Sequence, residues 1–469
     1  MSDTHVHCRR RGWSAILTTA LALAVALPAL PAEEETTLLP SLVVVTVSSL
    51  RSDRVQAIGQ RGSRTPYLLS LGKRGALLNL ARTPVPETVP ALASLFTGLD
   101  PYLHGVYGDS HPNLRSVTLG DRLLDAGYRG TAWFNAPLGR GMALLERGLA
   151  ETHEFPDLDA TGLADQVLAA EAESLAAGGH FLWVHLGDAS APYRPDLADL
   201  LTYRSDGWND IWKFPLAVSK RTGMLDTLPR AAVNGPMREA AFYMDSYDAA
   251  VLKVDRALQT LVEGLLPALK TSQGYLVIAS LHGESLGEHH AWFSHGSTLY
   301  EEELQVPVLF LGPDVQPLDQ PMETSWASLI DVMPSLLQLM GLPAGERGPR
   351  IAMEEARGFN LAPLLRAFSA PPVRSIPSAQ AQVPYARSVL AEGRYKIILS
   401  PPRPPMFQGE HPWPDSEQIE FHDLQIDPLE LTNLSVTRGD LSNRLARHVR
   451  LKFPPWPNSP PARDSSRHR

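Results

Sequence analysis

The residues best suited to chemistry lie between two apolar runs, Tyr275–Ser280 and Val306–Leu311. The first run ends in Leu281-His282-Gly283-Glu284, and His289, His290 and His295 follow before the second begins. Imidazoles move protons, bind anions or ligate metals near neutral pH. His289 and His290 are adjacent rather than one helical turn apart, which makes a poor zinc pair. Leu281 puts an aliphatic side chain where a metal site wants a carboxylate. A second candidate is Thr88 in PVPETVPALASLFTG, Pro84–Gly98. It reads as the N-cap of a helix running from about Val89 to Phe96. A side chain at that end faces a positive helix terminus, suited to an anion. The alternative role is a nucleophile, which needs an adjacent base or a cation to activate its hydroxyl. Ser48 and Ser49 close an earlier apolar run, followed by Arg51 and Asp53. Arg51 is a candidate anion-binding group, with packing outside the pocket as its alternative. His282 and His295 either bind an anion or serve as hydrogen-bonded turn residues.

These groups need elements to hold them. Ser41–Val47 (SLVVVTV) is continuous, apolar and β-branched, as a fully buried strand requires. Gly130–Phe134, His180–Leu186 (HFLWVHL), Tyr275–Ser280 and Val306–Leu311 read as further strands. Helical patterns lie between them. Thr65 caps a helix that Gly75 closes, and others cover Leu119–Ala126, Leu158–Ala177 and Ala240–Leu269. Ser325–Leu342 reads as a helix interrupted by Pro334. Strands alternating with helices predict an α/β fold with a mainly parallel sheet, and ligands of such sheets sit beyond the carboxyl ends of the strands. Residues 194–235 are irregular and rich in Pro, Trp and Asp, an insertion or lid in which Trp208, Asn209 and Trp212 offer a sugar-binding face or simply pack. Residues 369–385 read as a linker or long loop. Short strands at Arg387–Leu390, Tyr395–Leu399 and Gln418–His422 and a helix near Leu441–Leu451 define a C-terminal subdomain, 386–452. The tail, 453–469, has a disorder-prone composition.

The 469 residues suit one large α/β domain with a smaller appendage. A formal net charge of -9 gives a nucleic-acid partner no electrostatic support. Residues 1–32 read as an export signal peptide: Arg9-Arg10-Arg11, the apolar run Trp13–Leu27, and Ala32 at the cleavage edge. The run is shorter than the ~20 residues a spanning helix needs. The expected location is therefore periplasmic or extracellular, and an uncleaved signal segment is the one route to a membrane. Cys8, the single cysteine, precedes the apolar run, so it is no lipid anchor, and the mature chain has no thiol chemistry or disulfide.

Several stretches together resemble the sulfatase family of the alkaline-phosphatase superfamily, from about Leu42 to Val436. Val43–Asp53 resembles the family's first strand and its metal-binding end. Residues 65–98, ending in ETVPALASLFTG, resemble the segment carrying the nucleophile helix. Asp188–Tyr193 (DASAPY) resembles an Asp-Pro-His-x-Pro-Tyr turn. Leu281-His282-Gly283-Glu284, followed by HGSTLYEEELQVPVLFLGP, resembles the Asp-His-Gly-Glu turn and its sequel. Arg394-Tyr395-Lys396 and FHDLQIDPLELTNLS resemble the C-terminal subdomain. The resemblance implies an alkaline-phosphatase-like sandwich with a small C-terminal antiparallel sheet.

It also implies a divalent cation, usually calcium, held by oxygen ligands, and a formylglycine, Thr or Ser nucleophile. In this chain the two metal-binding aspartates correspond to Ser48 and Ser49, and the nucleophile to Thr88. The following arginine corresponds to Leu92, the histidine of the Pro-His-x-Pro turn to Ser190, and the aspartate of the Asp-His-Gly turn to Leu281. The late lysine falls near Ser294, while His282 and His295 match. Thr88 is not a precursor of formylglycine. Two hydroxyls, a leucine and one imidazole are a poor set for a hard dication, so no cofactor is expected. The expectation is an exported, catalytically inactive sulfatase-like protein that binds or scaffolds an anionic sulfated or phosphorylated ligand or a partner protein. The alternative is an active sulfuric or phosphoric ester hydrolase or transferase using Thr88 with a metal site rebuilt from His282, His295 and Glu284. A third reading is a regulatory subunit of an active sulfatase paralogue.

Overall fold

Six consecutive β-branched or leucine residues make β1 (Leu42–Val47), and all six are buried. In a strand, alternate side chains face opposite sides. Leu42 and Val44 pack into one apolar layer, Val43, Val45 and Val47 into another. Each fully buried side chain of this kind stabilises by roughly 1.5–3 kcal/mol. A strand apolar on both faces must lie at the centre of a sheet, and β1 does. The computed structural model describes residues 38–55, 63–106, 114, 116–136, 145–205, 207, 209–220, 224–318, 327–342, 357–367, 374–380, 386–401 and 416–453. Residues 1–32, which read as an export signal, Trp208 and, beyond Phe453, the tail lie outside them.

Among the described residues, seven strands form the main sheet: β1, β2 (Ala76–Arg82), β3 (Arg129–Phe134), β4 (Glu151–Glu154), β5 (His180–Leu186), β6 (Tyr275–Ser280) and β7 (Gln305–Leu311). Their spatial order is β2-β7-β6-β1-β5-β3-β4. The pairs β6–β1, β1–β5, β5–β3 and β3–β4 are parallel, and β7 runs antiparallel between β6 and β2. α1 (Pro66–Leu71) precedes β2, and α2 (Thr88–Thr97) follows it. Val89, Leu92 and Leu95 of α2 join the layer that holds Leu42 and Val44. α3 (Ala160–Ala177) and α4 (Ala240–Thr271) cover the opposite face through Leu163, Val167, Val251, Val254 and Leu258. The result is a mixed α/β sandwich with a mainly parallel central sheet.

A second sheet is antiparallel: β8 (Ile376–Ala379), β9 (Arg387–Ala391), β10 (Tyr395–Ser400) and β11 (Gln418–Asp423). Helix Gly439–Lys452 closes its own core, in which Ala446 and Val449 meet Val389, Ile397 and Phe421. The segment 369–385 is therefore not loop throughout, because β8 forms inside it. Its anchors are non-local: Ala379 N donates to Pro84 O at 2.9 Å, and Ser378 Oγ to Thr83 O at 2.9 Å. The insertion 194–235 holds a helix, Leu197–Ser205, and a two-stranded parallel ribbon of Ala217–Ser219 with Thr227–Pro229. The helix expected over Ser325–Leu342 begins only at Val332. Pro334 thus lies in its first turn, where a missing N–H removes no intrahelical bond.

Candidate functional site

Register brings the chemistry together. Val47 of β1 lies level with Leu186 of β5 and Ser280 of β6. The three strands therefore end at one edge, and Ser48-Ser49, Gly187–Ser190 and Leu281–Glu284 leave it side by side. The ladder continues one step further: Ser48 N donates to Leu186 O at 3.1 Å, and Leu281 N to Val47 O at 2.9 Å. Ser49 then takes a left-handed backbone, with φ of 60°. That conformation costs a β-carbon-bearing residue of order 1–3 kcal/mol and persists only where its surroundings dictate it. The dictating group is Tyr247 of α4. Its hydroxyl donates to Ser49 O at 2.7 Å and accepts from Arg51 N at 3.2 Å.

Two hydrogen-bonded chains result. In the first, Thr88 Oγ1 lies 2.9 Å from His282 Nε2 and 3.3 Å from Ser48 Oγ, which in turn lies 3.3 Å from His185 Nε2. His282 Nδ1 lies 2.9 Å from Gly283 O, which can only accept. Nδ1 therefore carries the proton, Nε2 is an acceptor, and the Thr88 hydroxyl donates to it. Burial holds the His282 pKa well below the ordinary imidazole value, and His295 adds to the effect. Burial also pushes His185 down to about 3. Both imidazoles are thus neutral at pH 7.

In the second chain, Ser49 Oγ donates to Glu284 Oε2 at 2.9 Å and lies 2.9 Å from Ser190 Oγ. Glu284, fully buried, also accepts from Tyr193 OH at 2.9 Å and pairs with His295 Nδ1 at 2.8 Å. Burial opposes a charge on His295, but Glu284, with Glu303 and Glu87 behind it, outweighs burial and raises its pKa. The two histidine rings lie 4.0 Å apart, centroid to centroid. The site therefore sets an imidazole that burial keeps neutral against one that Glu284 makes more basic. His295 Nε2 has no hydrogen-bond partner among the described residues.

Ser48, Thr88, His185, Ser190 and His295 line a cleft of about 750 Å³. Asn135, Asp188, Asp159, Arg194 and Lys253 also line it. Lys253 Nζ is held by Asp159 at 2.7 Å and Asp196 at 3.2 Å. Arg194 is exposed and makes no hydrogen bond or ion pair among the described residues. The sequence reading missed His185, Lys253 and Arg194. Only His185 left a signal, as a polar residue near the end of the otherwise apolar strand HFLWVHL.

The structure brings Thr88, His282 and His295 together but leaves Arg51 out. Arg51 binds Asp53 through Nε and Nη2 at 3.0 and 2.8 Å, and gives Nη1 to Glu284 O at 2.9 Å and Glu288 at 2.7 Å. Its guanidinium braces the turn from behind, with four of its five N–H groups taken, and Arg51 is not among the residues that line the cleft, so its anion-binding assignment is corrected. Thr88 is also not the N-cap. It is the first residue of α2, Glu87 occupies the cap, and the Thr88 side chain turns to His282 instead. Leu281 is fully buried in the apolar layer with Val306 and Val308. His289 pairs with Glu302 at 2.7 Å and stacks on Tyr300, and His290 is an exposed partner of Asp226. Trp212 packs edge-on against Trp292, and Asn209 donates to Asp245 at 2.7 Å. Both take structural contacts.

Fold and site together define a class of protein. The family model described as sulfatase matches residues 40–342, and the chain belongs to the sulfatase family. It is 29% identical over 196 residues to a choline-sulfatase of Rhizobium meliloti, covering 40% of this chain and 32% of that protein. An arylsulfatase K of Xenopus laevis is 26% identical over 201 residues, covering 40% and 33%. The match thus spans about a third of the length of these curated relatives. Among solved structures, a phosphonate monoester hydrolase from Silicibacter pomeroyi superposes with a TM-score of 0.65 at 16% identity, over 87% of this chain and 94% of that one. That likeness establishes the fold alone.

Proposed function

We propose that this chain is an exported sulfatase-family protein that no longer performs cation-dependent ester hydrolysis. Its cleft binds an anionic ligand bearing a sulfate or phosphate group. The observation that carries this reading is the state of the family's metal positions. Ser48 and Ser49 spend their hydroxyls on Thr88, His185, Glu284 and Ser190. Leu281 buries a side chain that has no oxygen to offer. Glu284, the carboxylate among these hydroxyls, already has three partners, Ser49, Tyr193 and His295, the last its counter-ion. A calcium ion needs six to eight oxygens, several of them charged, and this donor set does not fit it. His295 supplies a single positive charge instead, facing the cleft beside the start of α2, where peptide dipoles also favour an anion.

The test is calcium and zinc content of the purified mature protein, combined with turnover of aryl sulfate and phosphate esters and titration with inorganic sulfate. The expected result is no stoichiometric metal, no turnover and measurable sulfate binding. Stoichiometric calcium with sulfate-ester turnover would sink the proposal. The second reading, an active ester hydrolase, is favoured by the 2.9 Å contact between Thr88 and His282. A metal site rebuilt on His282 would have to break that contact or the bond to Gly283 O. Export itself is tested by the N-terminus of the protein recovered outside the cytoplasm, expected near residue 33.

A further inference from the structure

We propose that Thr88 and His282 form a metal-independent acyl-transfer pair that cleaves a short carboxylic ester of a polyhydroxylated alcohol. The argument begins with direction. A nucleophilic hydroxyl needs a base within hydrogen-bond reach, and the base needs a third group to fix its tautomer. Thr88 Oγ1 is 2.9 Å from His282 Nε2, and Gly283 O, 2.9 Å from Nδ1, holds the opposite proton in place. All three positions are set by rigid elements: the first turn of α2 and the loop leaving β6. Thr88 lines the cleft, so its oxygen meets whatever binds there.

The choice of carbonyl over sulfuryl chemistry follows from charge. Sulfuryl and phosphoryl groups carry negative charge spread over several oxygens and depend on cations to approach a nucleophile. Carbonyl addition places one new charge on one oxygen and asks for one or two donors. In its protonated form His295 is such a donor, with Nε2 unpartnered among the described residues and its ring 4.0 Å from that of His282. When His282 takes the Thr88 proton, the new imidazolium and the new oxyanion balance one another, and Glu284 stays paired with His295. The charges close without a metal.

The step balances as follows. Thr88 Oγ1 bonds to the carbonyl carbon, the C=O π pair moves to oxygen, and the Oγ1 proton goes to His282 Nε2. Collapse breaks the bond to the alcohol oxygen, which takes that proton and leaves. Water then attacks the acyl-Thr88 ester, its proton passing to His282. The carboxylic acid departs, and Thr88 recovers its proton. Val89, beside Thr88 in the cleft wall, suits the acyl half, and Asn135, Asp188 and Lys253 offer hydrogen bonds to hydroxyls of the alcohol half.

The experiment uses the full mature chain with para-nitrophenyl acetate, with and without a chelator, and peptide mass spectrometry of quenched reactions. We expect chelator-insensitive turnover, acetyl trapped on Thr88, and about a hundredfold or greater loss in Thr88→Val and His282→Gln. Thr88→Ser should retain turnover, which separates loss of chemistry from loss of fold, and the melting temperature of Thr88→Val checks the same point. Turnover unchanged in Thr88→Val, or none above that variant with the parent well folded, overturns the proposal. Sulfate binding and metal content are read separately, so this inference and the binding reading fail independently.

Discussion

Two buried polar regions of this protein have opposite compositions. At the carboxyl edge of the main sheet, hydroxyls and imidazoles surround the carboxylate of Glu284, with Glu303, Glu87 and Asp188 farther out. Between the two sheets, Arg82, Glu301, Lys396 and Glu430 form a compact ionic cluster. Arg82 meets Glu301 at 2.7 Å, and Lys396 meets Glu301 at 2.9 Å and Glu430 at 2.8 Å. Burial resists ionisation of Glu301, but Arg82 and Lys396 outweigh it and hold its pKa low, while burial pushes Glu430 upward. In the second region each ionisable group has a group of opposite sign in contact. In the first, fixed acids without a cation would repel one another, and hydroxyls satisfy the same turns without charge. In the second region the protein's own side chains neutralise the buried charge.

The comparison can be broken most forcefully at Lys396. Lys396→Met leaves Glu301 and Glu430 facing each other with one cation fewer. It should cost about 3–5 kcal/mol of stability in chemical denaturation, and adding Glu430→Gln should recover part of the loss. An unchanged midpoint for the single variant would show that the cluster is not closed by its own charges. Leu281→Asp tests the other region. A carboxylate inserted into the apolar layer of Val306 and Val308 should destabilise by roughly 2–4 kcal/mol. It should confer neither calcium binding nor sulfatase turnover, because Ser48, Ser49 and Ser190 still offer only hydroxyls. Restored activity would show that one ligand, not several, separates this pocket from a metal site. The smallest effect concerns His295. Its raised pKa means the imidazolium is complete below the ordinary value of 6.5 and is lost only as pH rises through the elevated one. Affinity for inorganic sulfate should therefore fall about tenfold as pH increases across that window, and His295→Ala should flatten the dependence. Affinity rising with pH would remove His295 as the cation of the cleft.

Much of this was legible in the linear chain, and the misses have physical reasons. Ser48, Ser49, Leu281 and His282 could be placed at strand ends because their strands are apolar on both faces. The strand β2, ALLNLAR, went unread because its leucines and alanines favour a helix as readily; pairing with β7 decides it. β8, IPSA, hid among prolines and serines and exists through β9 and the main-chain oxygen of Pro84. Arg51 could not be assigned a direction, since Asp53 lies beside it but Glu288 is reached only through folding.

The order of residue types along the chain determined the α/β architecture, the position of the pocket at the ends of β1 and β6, and the hydroxyls and leucine that stand there. Tertiary structure alone decided that Thr88 donates to His282, that Glu284 makes His295 more basic, and that Lys253 and Arg194 reach the same cleft. The physical reason is range. Hydrophobic periodicity is a property of neighbouring residues, whereas hydrogen-bond direction and charge depend on partners that strand register brings together from distant parts of the sequence.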